Sequence, residues 1–243
     1  MNLLIWIVTI VAAYFIGAIS FARIVAWFVN PKADLDKART HQTETGETGT
    51  VSGIGASTAS MALGKKYGFI VALLDMAKTF IPTVVLRSIY PDGSYHLLFG
   101  IFAIIGHIYP VYYRFQGGRG LSAMLGSLLA IDPLGLIVSM LAGTLLAMLI
   151  NQPTTSLILW FPLLSIWAWT VRQDPAFIIF SVALLILFLI AEIPEIKLAL
   201  KYQKEGRMDE YNRIIIASSS QTRGMKRLAE KIRFWEKKKD RSD

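Results

Sequence analysis

Apolar runs long enough to cross a hydrocarbon layer recur along this chain, and they restrict its fold more than any other feature. The first covers about Leu3 to Val29, the second about Tyr67 to Tyr90 and the third about His96 to Tyr113. Leu121 to Ile131 is short and stops at Asp132-Pro133, after which a longer run reaches Ile150. Two more cover about Thr155 to Val171 and Pro175 to Ile193. A lipid-embedded backbone has no water to bond, so each segment must satisfy its own N–H and C=O groups, as a helix does. The pattern predicts an all-α, polytopic membrane protein with about seven transmembrane helices, the short segment included. Composition agrees, with 54% hydrophobic and 17% charged residues among 243 and a mean hydropathy of +0.49. No cleavable signal peptide is expected: Met1-Asn2 carries no basic region, and the first run is itself long enough to span.

Charge predicts the orientation. With the amino terminus outside, the inner loops are about 30–66, 113–120, 151–154 and the tail. The first holds Lys32, Lys37, Arg39, Lys65 and Lys66, and the second holds Arg114 and Arg119. From Lys197 onward lie 14 of the 25 lysines and arginines. The outer loops hold only Arg87 and Arg172, the asymmetry that the positive-inside rule describes. An even number of spans would separate the basic tail from the basic 30–66 loop, so seven spans and a cytoplasmic carboxyl terminus fit better. The chain divides accordingly into a membrane domain, 1–196, and a basic tail, 197–243. In that tail Leu228, Ile232 and Trp235 share a face among basic residues, which suits an amphipathic helix on anionic lipid. A solvated charged end is the alternative. Lipid attraction explains the net charge of +8 more simply than nucleic acid does, and no nucleic-acid partner is expected. Cysteine is absent, which excludes disulfides and thiolate chemistry. His41, His96 and His107 show no metal-ligand spacing, so a metal site is not expected; no cofactor is expected either.

The chemistry concentrates where the third run meets water, at Gly106-His107-Ile108-Tyr109-Pro110 and then Phe115-Gln116-Gly117-Gly118-Arg119-Gly120. Glycines let backbone N–H groups approach a ligand closely, and Arg119 fixes a positive charge among them, an arrangement suited to phosphate. A tight inter-helix turn with a positive-inside arginine is the plainer reading, but the membrane-boundary position and the His107 and Pro110 ahead of it favour the phosphate site. A second polar stretch, Thr50 to Gly68, is rich in small and hydroxyl residues and ends near Lys65 and Lys66, which either attract an anion or anchor an interfacial helix. Asp75 and Lys78 share one face of the second span at i and i+3, either as a buried ion pair or as part of a substrate site. Arg23 reads as a snorkelling side chain.

Together these pieces resemble the bacterial acyl-phosphate:glycerol-3-phosphate acyltransferase family, small seven-span enzymes with the amino terminus outside. Gly106 to Gly120 parallels the family pattern Gly-His-x-x-Pro-x-x-x-x-Phe-Lys-Gly-Gly-Lys-Gly, with Gln116 and Arg119 in place of the two lysines. Gly17-Ala18-Ile19-Ser20-Phe21 resembles a first-span Gly-Ser-x-Pro-Phe, and Asp75-x-x-Lys78 and Leu63-Gly64-Lys65-Lys66 also match. The order of the pieces covers about Gly17 to Lys197. In the family's Gly-Ser-Gly-Asn-x-Gly-x-Thr-Asn-x-x-Arg motif, Ser52 to Thr58 lacks the first asparagine, Thr58 stands for the second, and Met61 falls at the arginine. The histidine and asparagine of the last family motif are Glu192 and Glu195 here.

The resemblance implies transfer of a fatty acyl group from acyl phosphate to glycerol 3-phosphate, giving lysophosphatidic acid, in the bacterial plasma membrane. It implies catalytic roles for His107, Arg119 and Ser52, and phosphate binding by Gly117, Gly118, Gly120, Gly53, Ser57, Lys65 and Lys66. It assigns no protein nucleophile. Met61, Glu192 and Glu195 leave a second reading open, an impaired or altered-substrate relative that acts as a binding or regulatory membrane protein.

Overall fold

The computed structural model of the chain describes residues 3–38, 40–42, 48–50, 53–150 and 156–211. The apolar runs form helices, and most breaks between them fall at glycine, proline or a capping aspartate. Helix α1 is Leu3–Gly17, α2 Phe21–Val29 and α3 Leu35–Ala38. After them come β1, Thr40–Gln42, and β2, Thr48–Thr50, paired antiparallel with Thr40 opposite Thr50. Apart from this short ribbon the described elements are helical, as the sequence predicts. The ribbon lies in a polar loop, where water satisfies its open edges and β-branched threonine favours extended backbone.

The remaining elements are α4, Ala56–Leu63; α5, Lys65–Ile89; α6, Tyr95–Ile108; α7, Leu121–Ile131; α8, Pro133–Leu149; α9, Ser156–Trp167; and α10, Pro175–Lys204. Among the described residues, four helical stretches, Leu3–Val29, Lys65–Ile89, Tyr95–Tyr113 and Pro175–Lys204, are long and apolar enough to cross a membrane, and three shorter apolar helices accompany them. Leu3, Ile7, Phe69, Leu141, Leu145 and Ile179 point outward, as side chains of a helical membrane protein do when lipid replaces water around it.

Two elements differ from the sequence expectation. The first run is broken at Ala18–Ser20, separating α1 from α2. Gly17 and Gly106 let α1 lie directly on α6: a methyl at Gly17 would overlap the Ala103 carbonyl, and one at Gly106 the Tyr14 carbonyl. The break releases the Ile19 carbonyl, which accepts a hydrogen bond from Lys78 Nζ at 2.6 Å. The last helix runs through Lys204 instead of stopping at Ile193, so the 196/197 boundary falls inside continuous α10. Lys201 and Lys204 complement the helix dipole in its final turn. Gly206, at φ 68°, then reverses the chain, and Arg207 N donates to Tyr202 O.

The main core joins α6, α7, α9 and α10 around Phe180, Phe188, Ile104, Met124 and Leu164. Helices α5 and α7 approach closely because Gly126 lies against the Met76 carbonyl, and Thr79 Oγ1 donates across to Ala123 O at 2.9 Å. A smaller cluster of Ala22, Ala26, Ile54, Ala59 and Val71 packs α2 and α4 over α5. This layer carries one wall of the site.

Candidate functional site

Proline and glycine build the central loop. Helix α6 ends at Ile108, Pro110 offers no N–H to prolong it, and Val111–Tyr113 forms a single 3-10 turn. Arg114 and Phe115 then adopt left-handed backbone at φ 52° and 61°. The chain folds back on α6, so that Gly118 N donates to His107 O at 3.1 Å. Nothing but hydrogen fits on these glycines: a methyl at Gly117 would overlap His107 O, and one at Gly118 would overlap His107 Nε2. Arg23, read from sequence as a snorkelling residue, tethers the outside of the loop. Its Nη2 donates to Gln116 O at 3.0 Å, and its guanidinium lies 4.3 Å from the Tyr113 ring centroid.

A second loop meets the first. Ile54 N donates to Gly117 O at 2.7 Å, and Gly53, at φ 83°, turns beside Gly118 and Arg119. Thr58 Oγ1 donates to Gly53 O at 2.9 Å and fixes that turn. The two loops launch α4 and α7, whose N-caps are Gly55 and Gly120 and carry no side-chain cap bond. First-turn N–H groups of a helix have no intrahelical acceptor, and an uncapped start leaves them for a ligand. Both starts open onto one cavity of about 80 Å³, lined by Gly53, Gly55, Ala56, Ser57, Thr58, Asp75, His107, Arg119, Gly120, Leu121 and Ser122. Converging helix dipoles make this cavity favourable to an anion.

Behind it lies a buried polar cluster. Lys78 Nζ donates to Asp75 Oδ1 at 2.7 Å, to Ile19 O at 2.6 Å and to His107 Nδ1 at 2.9 Å. A charged Lys78 has three donors and no lone pair, so toward it His107 Nδ1 accepts and the ring proton sits on Nε2, beside Gly118. The same Nδ1 lies 3.5 Å from Asp75 Oδ1. The histidine is thereby set as a hydrogen-bond donor rather than a base.

Arg119 reaches across to α10, with its Nη1 3.3 Å from Glu192 Oε1 and 3.4 Å from Oε2. The chain beyond α10 turns back toward the same wall. Burial, followed by Glu195 and Glu192, pushes the Tyr211 hydroxyl up to about 12.

The structure brings together most of the residues singled out from sequence. His107, Arg119, Gly120, Gly53 and Ser57 line the cavity, and Gly117 and Gly118 press against His107 behind it. Lys65 and Lys66 start α5, are exposed, and are not among the lining residues. Ser52 and the amphipathic stretch around Leu228, Ile232 and Trp235 lie outside the described residues. Ser122, not singled out from sequence, also lines the cavity; its signal was a hydroxyl two positions after the glycine that starts a helix. We expect Gly118→Ala to displace His107 and to reduce anion binding at least tenfold; titration of the purified variant with inorganic phosphate checks this.

The profile of the glycerol-3-phosphate acyltransferase family matches residues 7–201. A glycerol-3-phosphate acyltransferase of Aquifex aeolicus is 33% identical over 125 residues, covering 51% of this chain and 58% of its own length. One of Mycoplasma mycoides subsp. mycoides is 32% identical over 179 residues, covering 65% of each. One of Myxococcus xanthus is 41% identical over 87 residues, covering 35% of this chain and 45% of its own length. This chain thus spans between 45% and 65% of those relatives. The crystal structure of PlsY (YgiH), an integral membrane glycerol 3-phosphate acyltransferase in its glycerol 3-phosphate form, superposes with a TM-score of 0.65 at 22% identity. The match covers 83% of this chain and 93% of that one. The two share a fold.

Proposed function

The chain belongs to the glycerol-3-phosphate acyltransferase family, and from that premise we propose that it moves a fatty acyl group from acyl phosphate to glycerol 3-phosphate, giving lysophosphatidic acid. One observation carries the reading: two uncapped helix starts and Arg119 converge on one cavity at the end of an apolar helix bundle. A charged acceptor entering there meets a donor whose tail stays in lipid.

In this mechanism the N–H groups at the starts of α4 and α7, together with Arg119, hold phosphate. Ser57 and Ser122 add hydroxyl donors, and His107 Nε2–H adds a neutral one. The 1-hydroxyl oxygen of glycerol 3-phosphate attacks the acyl carbonyl carbon. A new C–O ester bond forms, the C–O bond to phosphate breaks, and the hydroxyl proton passes to a phosphate oxygen. An acyl phosphate is a mixed anhydride and already activated, so no protein nucleophile is needed. Proximity and charge stabilisation supply the rate.

The proposed setting is a bacterial plasma membrane, with seven spans, the amino terminus outside and the site on the cytoplasmic side. In that setting Lys197, Lys201 and Lys204, exposed on α10, face anionic lipid. One observation favours a second reading, a binding or regulatory protein without turnover: Glu192 already occupies Arg119.

Incubating purified protein with palmitoyl phosphate and labelled glycerol 3-phosphate separates the readings. Labelled lysophosphatidate above a no-protein control is the expected result. Tight acceptor binding with no product selects the second reading.

A further inference from the structure

We infer that Glu192 is a built-in competitor for the acceptor's phosphate, setting the anion affinity of the cleft through its hold on Arg119. The inference rests on the acceptor site proposed above and adds what limits its occupancy.

Arg119 is the one cation among the described residues that line the cavity. Of the nearby cations, Lys78 directs its three donors to Asp75, Ile19 and His107, and Arg23 is engaged by Gln116 and Tyr113. Met61, on α4, adds no charge. Any phosphate in the cavity must therefore draw on Arg119, which already lies 3.3 Å from a carboxylate oxygen.

The pair is accessible to exchange. The Arg119 and Glu192 side chains are 28% and 15% exposed, so the bond is neither sealed in the core nor fully screened by water. A guanidinium has five N–H donors and can turn from carboxylate to phosphate without leaving the site. Glu192 is then left beside a dianion, with Glu195 one turn further along α10, and their repulsion weakens binding. Part of the affinity of Arg119 for phosphate is thus spent on displacing Glu192. The carboxylate admits only an anion that outcompetes it, and it returns to Arg119 when that anion leaves. The result is a lower resting affinity and a faster release of phosphate-bearing species.

Glu192→Gln removes the charge and keeps the shape, and Glu192→Met supplies a second, uncharged replacement should the first fold poorly. Wild type and both variants, purified as the full chain, are titrated with inorganic phosphate and with glycerol 3-phosphate, and KM and kcat are measured with palmitoyl phosphate. The expected result is a fall of about two- to fivefold in the phosphate Kd and in the acceptor KM, the range for a partly exposed ion pair. A merely structural contact would loosen binding or leave it alone. Unchanged or weaker phosphate binding in both variants overturns the inference. Tighter phosphate binding without any lysophosphatidate from wild type or variant leaves the inference standing and overturns the acyltransferase reading.

Discussion

Arg119→Ala lowers the rate of lysophosphatidate formation by about 10²- to 10³-fold, the cost of removing one preorganised charge-stabilising group from an active site. The side chain does two things that alanine does not. It supplies the cavity's cation, and it neutralises Glu192 at 3.3 Å. Alanine therefore removes a positive charge and also exposes a negative one to the incoming phosphate. The two effects share a partner, so they do not add independently. Arg119→Ala combined with Glu192→Gln binds phosphate better than Arg119→Ala alone. Arg119→Lys keeps the charge without the planar fork and falls between wild type and alanine. Steady-state rates and phosphate titration of the four proteins check the order. Full activity in Arg119→Ala would make the glycine loop a simple turn.

Lys78→Met destabilises the protein by about 3–5 kcal/mol, the range for breaking a buried ion pair from one side. The Lys78 and Asp75 side chains are 3% and 2% exposed, so the remaining carboxylate has little water to turn to. The Ile19 carbonyl and His107 Nδ1 lose their donor at the same time. Adding Asp75→Asn removes the stranded charge and recovers part of the loss. Thermal unfolding in detergent measures the series. A Lys78→Met protein as stable as wild type would show that Asp75 is neutral or differently partnered. The His107 tautomer argued from Lys78 would fall with it.

The parts of this fold legible in sequence were those written in local chemistry. The apolar runs show helices because a membrane leaves few other options, and Pro133 and Pro175, each after an aspartate that caps the following helix, mark where α8 and α10 begin. Gly106 to Gly120 shows a turn able to approach a ligand. The break at Ala18–Ser20 was not legible, because none of those residues breaks a helix by itself. Its causes are tertiary: Gly17 lying on α6 and the Ile19 carbonyl taken by Lys78, 59 positions away. The lysines at 65 and 66 showed charge near the membrane boundary but not direction, and the start of α5 points them to solvent. Arg23 looked the same as any snorkelling arginine until the Gln116 carbonyl came beside it. Glu192 stood out as a carboxylate in an unexpected place. Its meaning depended on Arg119, 73 residues earlier in the chain.

The most direct test of the central claim is the location of the acceptor's phosphate. A structure of the purified chain with glycerol 3-phosphate bound should place the phosphorus between the start of α4 and the start of α7, within hydrogen-bonding reach of Arg119. Phosphate found instead on the exposed face of Lys197, Lys201 and Lys204, with the Arg119–Glu192 pair intact and the cavity empty, would contradict it.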